Sequence, residues 1–248
     1  MKVLGIIPAR YASTRLPGKP LLEIGGQSMI QRVYKRVASA SSIDLAVIAT
    51  DDEKIFQHVQ GFGGVVRMTS PDHQSGTDRC AEVARELSDF DIIVNIQGDE
   101  PFIDLADIDQ VVGLLKGEQA AQIATLGTPI IRQDDVFNPN IVKLVKNSAG
   151  RALYFSRNPI PYLRNYPQEQ WSDHHVFIRH LGIYGFQRSS LLAVTELPVG
   201  QLERLEALEQ LRWLEAGFSI QVGMTENPSQ GIDTPEDLEK ARIIINKE

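Results

Sequence analysis

The apolar positions of this chain follow two rhythms. Unbroken short runs at Val3–Ile7, Leu45–Ala49, Val65–Met68 and Asp91–Ile96 suit strands buried on both faces. Between them the spacing turns helical. Met29, Ile30, Val33 and Val37 mark one helix, and Asp51-Asp52 opens a second over Ile55, Phe56 and Val59. Cys80, Val83, Ala84 and Leu87 fall at i, i+3, i+4 and i+7, which predicts a helix over about 77–88. Ile108, Val111, Val112 and Leu115 mark a fourth. Strands alternating with helices predict an α/β fold with a mostly parallel sheet covered on both faces.

The rhythm changes after residue 119. Strand-like pieces at Ile123–Leu126, Ile141–Val145, Ala152–Phe155 and Leu181–Phe186 are joined by long connections containing Pro, and Pro159–Asp173 reads as a loop. A single amphipathic helix is expected over Leu202–Leu214. Its polar face carries Glu206, Glu209, Gln210 and Trp213. A short strand near Ser219–Val222 and a helix from Pro235 close the chain. The expected division is one domain, 1–248: a first α/β part, 1–119; an insertion, 120–215, that broadens the sheet; and a return to the core, 216–248.

Composition narrows the classes. The 248 residues carry a net charge of −7, which argues against general nucleic-acid binding. No apolar run is long enough to predict a membrane span, and the first is too short for a signal peptide. The single Cys80 excludes an internal disulfide and suits a reducing, cytoplasmic setting.

Against this acidic background, the loop after the first strand carries Arg10, Arg15 and Lys19 and no acid. It is no Walker loop, because Gly18-Lys19 is followed by Pro20 rather than Ser or Thr, and no GxGxxG follows the strand. Three cations at a strand's carboxyl end call for an anion such as a polyphosphate. Asn95-Ile96-Gln97-Gly98-Asp99-Glu100-Pro101 closes the most apolar strand, so Asp99 should stand at the same sheet edge. One or two carboxylates with substrate phosphates commonly hold Mg²⁺. Asp72-His73-Gln74-Ser75-Gly76-Thr77 offers the short donors and acceptors that a nucleobase needs, and equally an ordinary helix start. Thr234, Pro235 and Asp237 form a helix start that leaves Asp233 without a role unless the fold brings it to Asp99. His180 reads either as a ligand contact or as a structural histidine.

Taken in order, these segments resemble the 3-deoxy-manno-octulosonate cytidylyltransferase (CMP-Kdo synthetase) family. The likeness runs nearly end to end. It takes in Ile7-Pro8-Ala9-Arg10, Arg15-Leu16-Pro17-Gly18-Lys19-Pro20, Asp72-His73-Gln74-Ser75-Gly76-Thr77 and Gln97-Gly98-Asp99-Glu100-Pro101. It continues through Ala152-Leu153-Tyr154-Phe155-Ser156-Arg157, Arg179-His180-Leu181-Gly182-Ile183-Tyr184, Leu208-Glu209-Gln210-Leu211-Arg212 and Asp233-Thr234-Pro235-Glu236-Asp237-Leu238. The resemblance implies a Rossmann-like nucleotidyltransferase with an inserted sugar-binding and dimerisation subdomain, working as a homodimer. It also implies a reaction, CTP plus Kdo giving CMP-Kdo and diphosphate with Mg²⁺, for lipopolysaccharide synthesis. By the same likeness Arg10, Arg15 and Lys19 grip the triphosphate, with Lys19, Arg10 and Asp99 as catalytic residues. Gln74, Ser75, Gly76 and Thr77 lie by cytosine, and Asp99 and Asp233 hold the metal. Gln97, Arg157, Arg164, His180, Tyr184, Glu209 and Gln210 face the sugar acid. The chain departs from the family pattern at Asn165 and at Gly200-Gln201, both on the sugar side. The alternatives are a cytidylyltransferase for 8-amino-Kdo or sialic acid, and a nucleotide-binding protein without catalysis.

Overall fold

The structure, a computed structural model, describes residues 1–12, 16–117, 120–226, 228–229 and 231–245. Strand β1 (Val3–Ala9) is wholly interior, and its side chains alternate between two cores. Val3 and Ile7 face one side of the sheet, Leu4 and Ile6 the other. A two-stranded ribbon, β2 (Glu23–Ile24) and β3 (Gln27–Ser28), leads into α1 (Met29–Ser39), where the Ser28 hydroxyl accepts from the Gln31 amide as N-cap. Then come β4 (Leu45–Thr50), α2 (Glu53–Gly61) capped by Asp52, β5 (Val66–Met68), α3 (Gly76–Glu86), β6 (Ile92–Asn95) and α4 (Leu105–Leu114). Helices α1, α2 and α4 cover one face and α3 covers the other. Gly5 makes this close stacking possible, since a Cβ there would come 2.8 Å from Val37 of α1.

The later segment adds β7 (Ile123–Pro129), α5 (Gln133–Phe137), β8 (Lys143–Lys146), β9 (Ala152–Ser156) and α6 (Trp171–His174). It continues with β10 (Ile178–Gln187), α7 (Arg188–Thr195), α8 (Gln201–Glu206) and α9 (Gln210–Glu215). Strand β11 (Ile220–Met224) and helix α10 (Pro235–Ile245) follow. The sheet runs β11-β7-β10-β6-β1-β4-β5, with β8 on β10 and β9 on β8. Strand β10 is antiparallel to both β6 and β7, while β4, β5 and β6 lie parallel with β1. The sheet is therefore mostly parallel, as the alternating pattern predicts. The chain steps from β1 outward to β4 and β5, then returns to the other side of β1 as β6. That reversal makes a crevice at the carboxyl ends of β1 and β6, where open α/β sheets bind ligands.

Three expectations need correcting. The helix expected over Leu202–Leu214 is two, α8 and α9, broken at Ala207, the one non-glycine residue with positive φ (51°) among those described. Trp213 does not sit on a polar face: it is 1% exposed, edge-on to Tyr184 and Phe186. Within Pro159–Asp173, a 3-10 turn (Gln168–Gln170) and the start of α6 form because Trp171 is buried among Phe137, Tyr162 and Phe177. These elements are too short to leave a periodic signal, as is α5.

Arg79 of α3 is fully buried, paired with Asp51 beyond β4 at 3.1 Å and hydrogen-bonded to the Thr69 hydroxyl beyond β5. It ties the helix to two strand ends. Replacing it with Met strands the Asp51 carboxylate against the core. Arg79→Met is expected to lower the unfolding free energy by about 3 kcal/mol in urea titrations, the scale of breaking one partner from a buried pair.

Candidate functional site

The loop beyond β1 is closed by its own backbone. Gly18, at φ 67°, donates its amide to the Tyr11 carbonyl at 3.2 Å, and the Lys19 amide donates to Leu16 at 3.1 Å. Pro20 then fixes a 3-10 turn (Lys19–Leu21). This geometry points Lys19 inward, and its side chain is only 12% exposed. Its ammonium donates to Asp99 Oδ2 at 2.6 Å and to Asp233 Oδ1 at 3.0 Å. The Ile232 amide donates to the Asp99 carbonyl at 2.9 Å and pins the Asp233 segment to the end of β6. Asp99 and Asp233 thus meet around one cation although they are remote in sequence. Thr234 and Asp237 exchange capping bonds at 3.2 and 3.1 Å, while the Asp233 carboxylate accepts from Lys19.

A cavity of about 410 Å³ opens here, lined by Arg10, Lys19, Gly76, Gln97, Gly98 and Asp99, with Pro8 and Ala9 at its base. Two glycines keep it open. A Cβ on Gly98 would lie 3.0 Å from the Pro8 carbonyl oxygen, and one on Gly76 would lie 3.1 Å from the Pro8 ring. Arg10 is exposed and donates to the His73 carbonyl at 2.7 Å, joining the basic loop to the segment before α3. Arg15 lies outside the described residues. Burial pushes the Glu100 carboxyl up to about 7, against a hydrogen bond from the Ser229 hydroxyl and with the Asp99 charge adding to the rise.

The Gln74–Thr77 loop is held by side chains. Ser75 caps α3 in a reciprocal box with Asp78, and Gln74 donates to the Asp72 carbonyl at 2.8 Å. The Ser75 and Thr77 hydroxyls both donate to Glu209, at 2.9 and 2.7 Å, and Arg212 donates to the same carboxylate at 2.9 Å. These hydroxyls are engaged, so the parts of the loop that face the cavity are Gly76 and the local backbone.

On the side expected to take the sugar, Gln97 donates to the Gly182 carbonyl at 3.2 Å and bridges the cavity to β10. His180 packs edge-on to Phe155 and beside Tyr184, with its Nε2 3.1 Å from the Thr125 hydroxyl. Burial and then the Arg179 charge push its pKa down to about 3, so the ring is neutral at physiological pH. The Tyr184 hydroxyl, Asn95 Oδ1 and Trp213 Nε1 are buried with no hydrogen-bond partner from the protein. Gln210 is buried at the start of α9. Arg164 is exposed on the connection between β9 and β10 and does not line the cavity. Arg157 spends its guanidinium on backbone carbonyls, those of Pro139, Glu206 and Ala207.

Two hydrogen-bonding side chains on this side escaped the sequence. Lys143 is buried within β8, and its ammonium donates to the carbonyls of Asn138, Ile141 and Arg157. A lysine inside the apolar Ile141–Val145 run was the available signal. Glu206, expected on the polar face of the Leu202–Leu214 helix, accepts from the Ser156 hydroxyl at 2.6 Å and from the Arg157 amide at 2.9 Å. Nothing in its helical spacing marks it.

Comparison with known proteins finds the chain's likeness among cytidylyltransferases. Residues 4–222 match the family model described as cytidylyltransferase. The chain is 50% identical over 250 residues to a 3-deoxy-manno-octulosonate cytidylyltransferase of Parabacteroides distasonis, covering 99% of this chain and 98% of that one. It is equally similar to the protein of that name from Bacteroides thetaiotaomicron, with the same coverage. Among solved structures, a CMP:2-keto-3-deoxy-manno-octonic acid synthetase complexed with CTP superposes with a TM-score of 0.93 at 41% identity. The match covers 100% of this chain and 99% of that one.

The depressed His180 pKa sets a direction for acid stability. Between about pH 6.5 and 3 the unfolded chain takes up a proton at His180 that the folded chain refuses, so this group lowers stability as pH falls through that window. His180→Gln removes the linkage. Urea midpoints measured from pH 7.5 to 4.5 should fall less steeply in the variant than in the parent.

Proposed function

The chain belongs to the cytidylyltransferase family, alongside the 3-deoxy-manno-octulosonate cytidylyltransferases it matches along its whole length, and we propose how its site carries out their reaction. The enzyme transfers the cytidylyl group of CTP to the 2-hydroxyl of Kdo. The hydroxyl oxygen bonds to the α-phosphorus of CTP and gives up its proton to solvent, the α–β phosphoanhydride bond breaks, and diphosphate leaves with the electron pair. The observation that carries this reading is Lys19 held between Asp99 and Asp233 at the crevice of β1 and β6. Phosphoryl-type transfer asks for positioning and charge stabilisation rather than a protein nucleophile.

Arg10 and Lys19 supply positive charge toward the triphosphate, and Gly76 leaves room for the nucleotide against α3. Asp99 and Asp233 suit Mg²⁺, since two carboxylates converge on one cationic point while keeping exposed oxygen. Among the described residues no group of three or more His, Cys, Asp or Glu side chains could hold a metal, so phosphate and water would complete the shell. Bound there, the ion would act as a Lewis acid offsetting phosphate charge. The sugar acid would rest beyond Gln97, toward His180 and Tyr184, where the unpartnered Tyr184 hydroxyl and Asn95 Oδ1 favour a polar occupant.

The same reading puts the enzyme in the cytoplasm, activating Kdo for lipopolysaccharide assembly, and pairs it with a second copy. The exposed Leu153 of β9 and Leu205 of α8, 60% and 74% accessible, support a subunit contact in the 120–215 segment. No helix among the described residues is long and apolar enough to cross a membrane.

Diphosphate release should be seen with CTP and Kdo together. CTP binding with no release from Kdo, 8-amino-Kdo or sialic acid would instead mark a nucleotide-binding protein. Lys19→Met should cut turnover about 10²–10³-fold, the scale for losing one transition-state donor; near-parental turnover removes Lys19 from the mechanism. Excess EDTA should stop the reaction, and full activity in its presence would refute the metal assignment.

A further inference from the structure

Helices α8 and α9 form an antiparallel hairpin. Glu215, at the end of α9, accepts from the Leu202 amide near the start of α8 at 3.1 Å, and Glu203 pairs with Arg212 at 3.2 Å. The turn between them depends on Ala207 at φ 51° and ψ 50°, a conformation uncommon for a residue with a Cβ. Backbone bonds from the Ala207 and Leu208 amides to the Glu203 carbonyl close it, and a second constraint comes from Arg157, beyond β9. Its Nε donates to the Glu206 carbonyl at 2.7 Å and its Nη2 to the Ala207 carbonyl at 3.3 Å. The bond pattern is reciprocal, because the Glu206 carboxylate accepts from the Arg157 amide and the Ser156 hydroxyl. Lys143, buried behind them, donates to the Arg157 carbonyl. Two residues past Ala207 stands Glu209, whose carboxylate receives Ser75 and Thr77 of the loop that lines the cavity.

We propose that Arg157 and Glu206 are positioning residues for the nucleotide: their reciprocal clamp sets the left-handed turn at Ala207, and the turn delivers Glu209 to the Ser75–Thr77 loop. The inference rests on the cavity being the CTP site. It assigns Arg157 a task different from contact with the sugar acid. The guanidinium acts across β9 and α9 on a loop it does not touch. The path is continuous: hydrogen bonds involving charged groups, the stronger kind, stand at both ends, and the main chain from Glu206 to Glu209 joins them.

Two measurements on the full-length enzyme decide it. Steady-state kinetics of Arg157→Met, Glu209→Ala and the double variant should show KM for CTP raised about three- to thirty-fold in each single variant, the range for residues in one hydrogen-bond network. The double variant should be little worse than Glu209→Ala alone, and Arg157→Lys should recover part of the loss. Hydrogen exchange at residues 72–78 should quicken in both single variants, whether or not the protein turns over. If Arg157→Met raises KM for Kdo alone, or if the two losses multiply, or if exchange at 72–78 matches the parent, the proposal fails. Should Arg157→Met not fold, Ala207→Val, which crowds the left-handed turn, must quicken exchange at 72–78, and parental exchange there overturns the clamp. A parental enzyme inactive with CTP and Kdo would refute the proposed reaction, while the exchange arm would still judge the clamp.

Discussion

A single ammonium group organises this molecule. Lys19 sits between the carboxylates of Asp99 and Asp233, and each of the three comes from a different part of the chain. Two acids this close repel one another unless a cation lies between them. The fold therefore has to bring a basic loop to an acidic strand end, and a late loop to both. Everything around the site serves that convergence: the backbone bond closing the loop at Gly18, the Ile232–Asp99 bond, and the capping box that occupies Thr234 and Asp237.

The sheet makes the convergence possible. Because β6 returns beside β1, the residues after each strand share one crevice. Gly98 and Gly76 press against Pro8 from two sides, so the strand ends come together without side chains filling the space. The later segment then closes the crevice from the far side of the sheet. Its strand β10 pairs with β6 through Tyr184 and Asn95, and Gln97 donates to the Gly182 carbonyl of β10. The loop before α3 and the later segment meet at Glu209, which accepts from the hydroxyls of Ser75 and Thr77.

Much of this was legible in the sequence where the physics is local. The apolar runs of β1, β4, β5 and β6 and the helical spacing of α1 to α4 follow from burial and periodicity, and the match of strands and helices follows with them. The unusual charge of the Arg10–Lys19 loop marks the site for the same reason. What sequence could not show depends on contact at a distance. The spacing of Leu202–Leu214 continues smoothly through Ala207, because a left-handed residue between two short helices need not disturb an apolar repeat; the break is held by bonds to the Glu203 carbonyl and by Arg157, far upstream. Trp213 lies in the core because that break turns α9. Asp233 gains its meaning from Asp99, which no local pattern connects to it.

The metal–triphosphate assignment at this three-residue centre is tested most directly by anomalous scattering from crystals of the protein grown with CTP and Mn²⁺ in place of Mg²⁺. A peak coordinated by both Asp99 and Asp233, with the Lys19 ammonium shifted from them onto phosphate oxygen, is the predicted result. Lys19 still bridging the two carboxylates, with the ion bound elsewhere on the nucleotide, would contradict it.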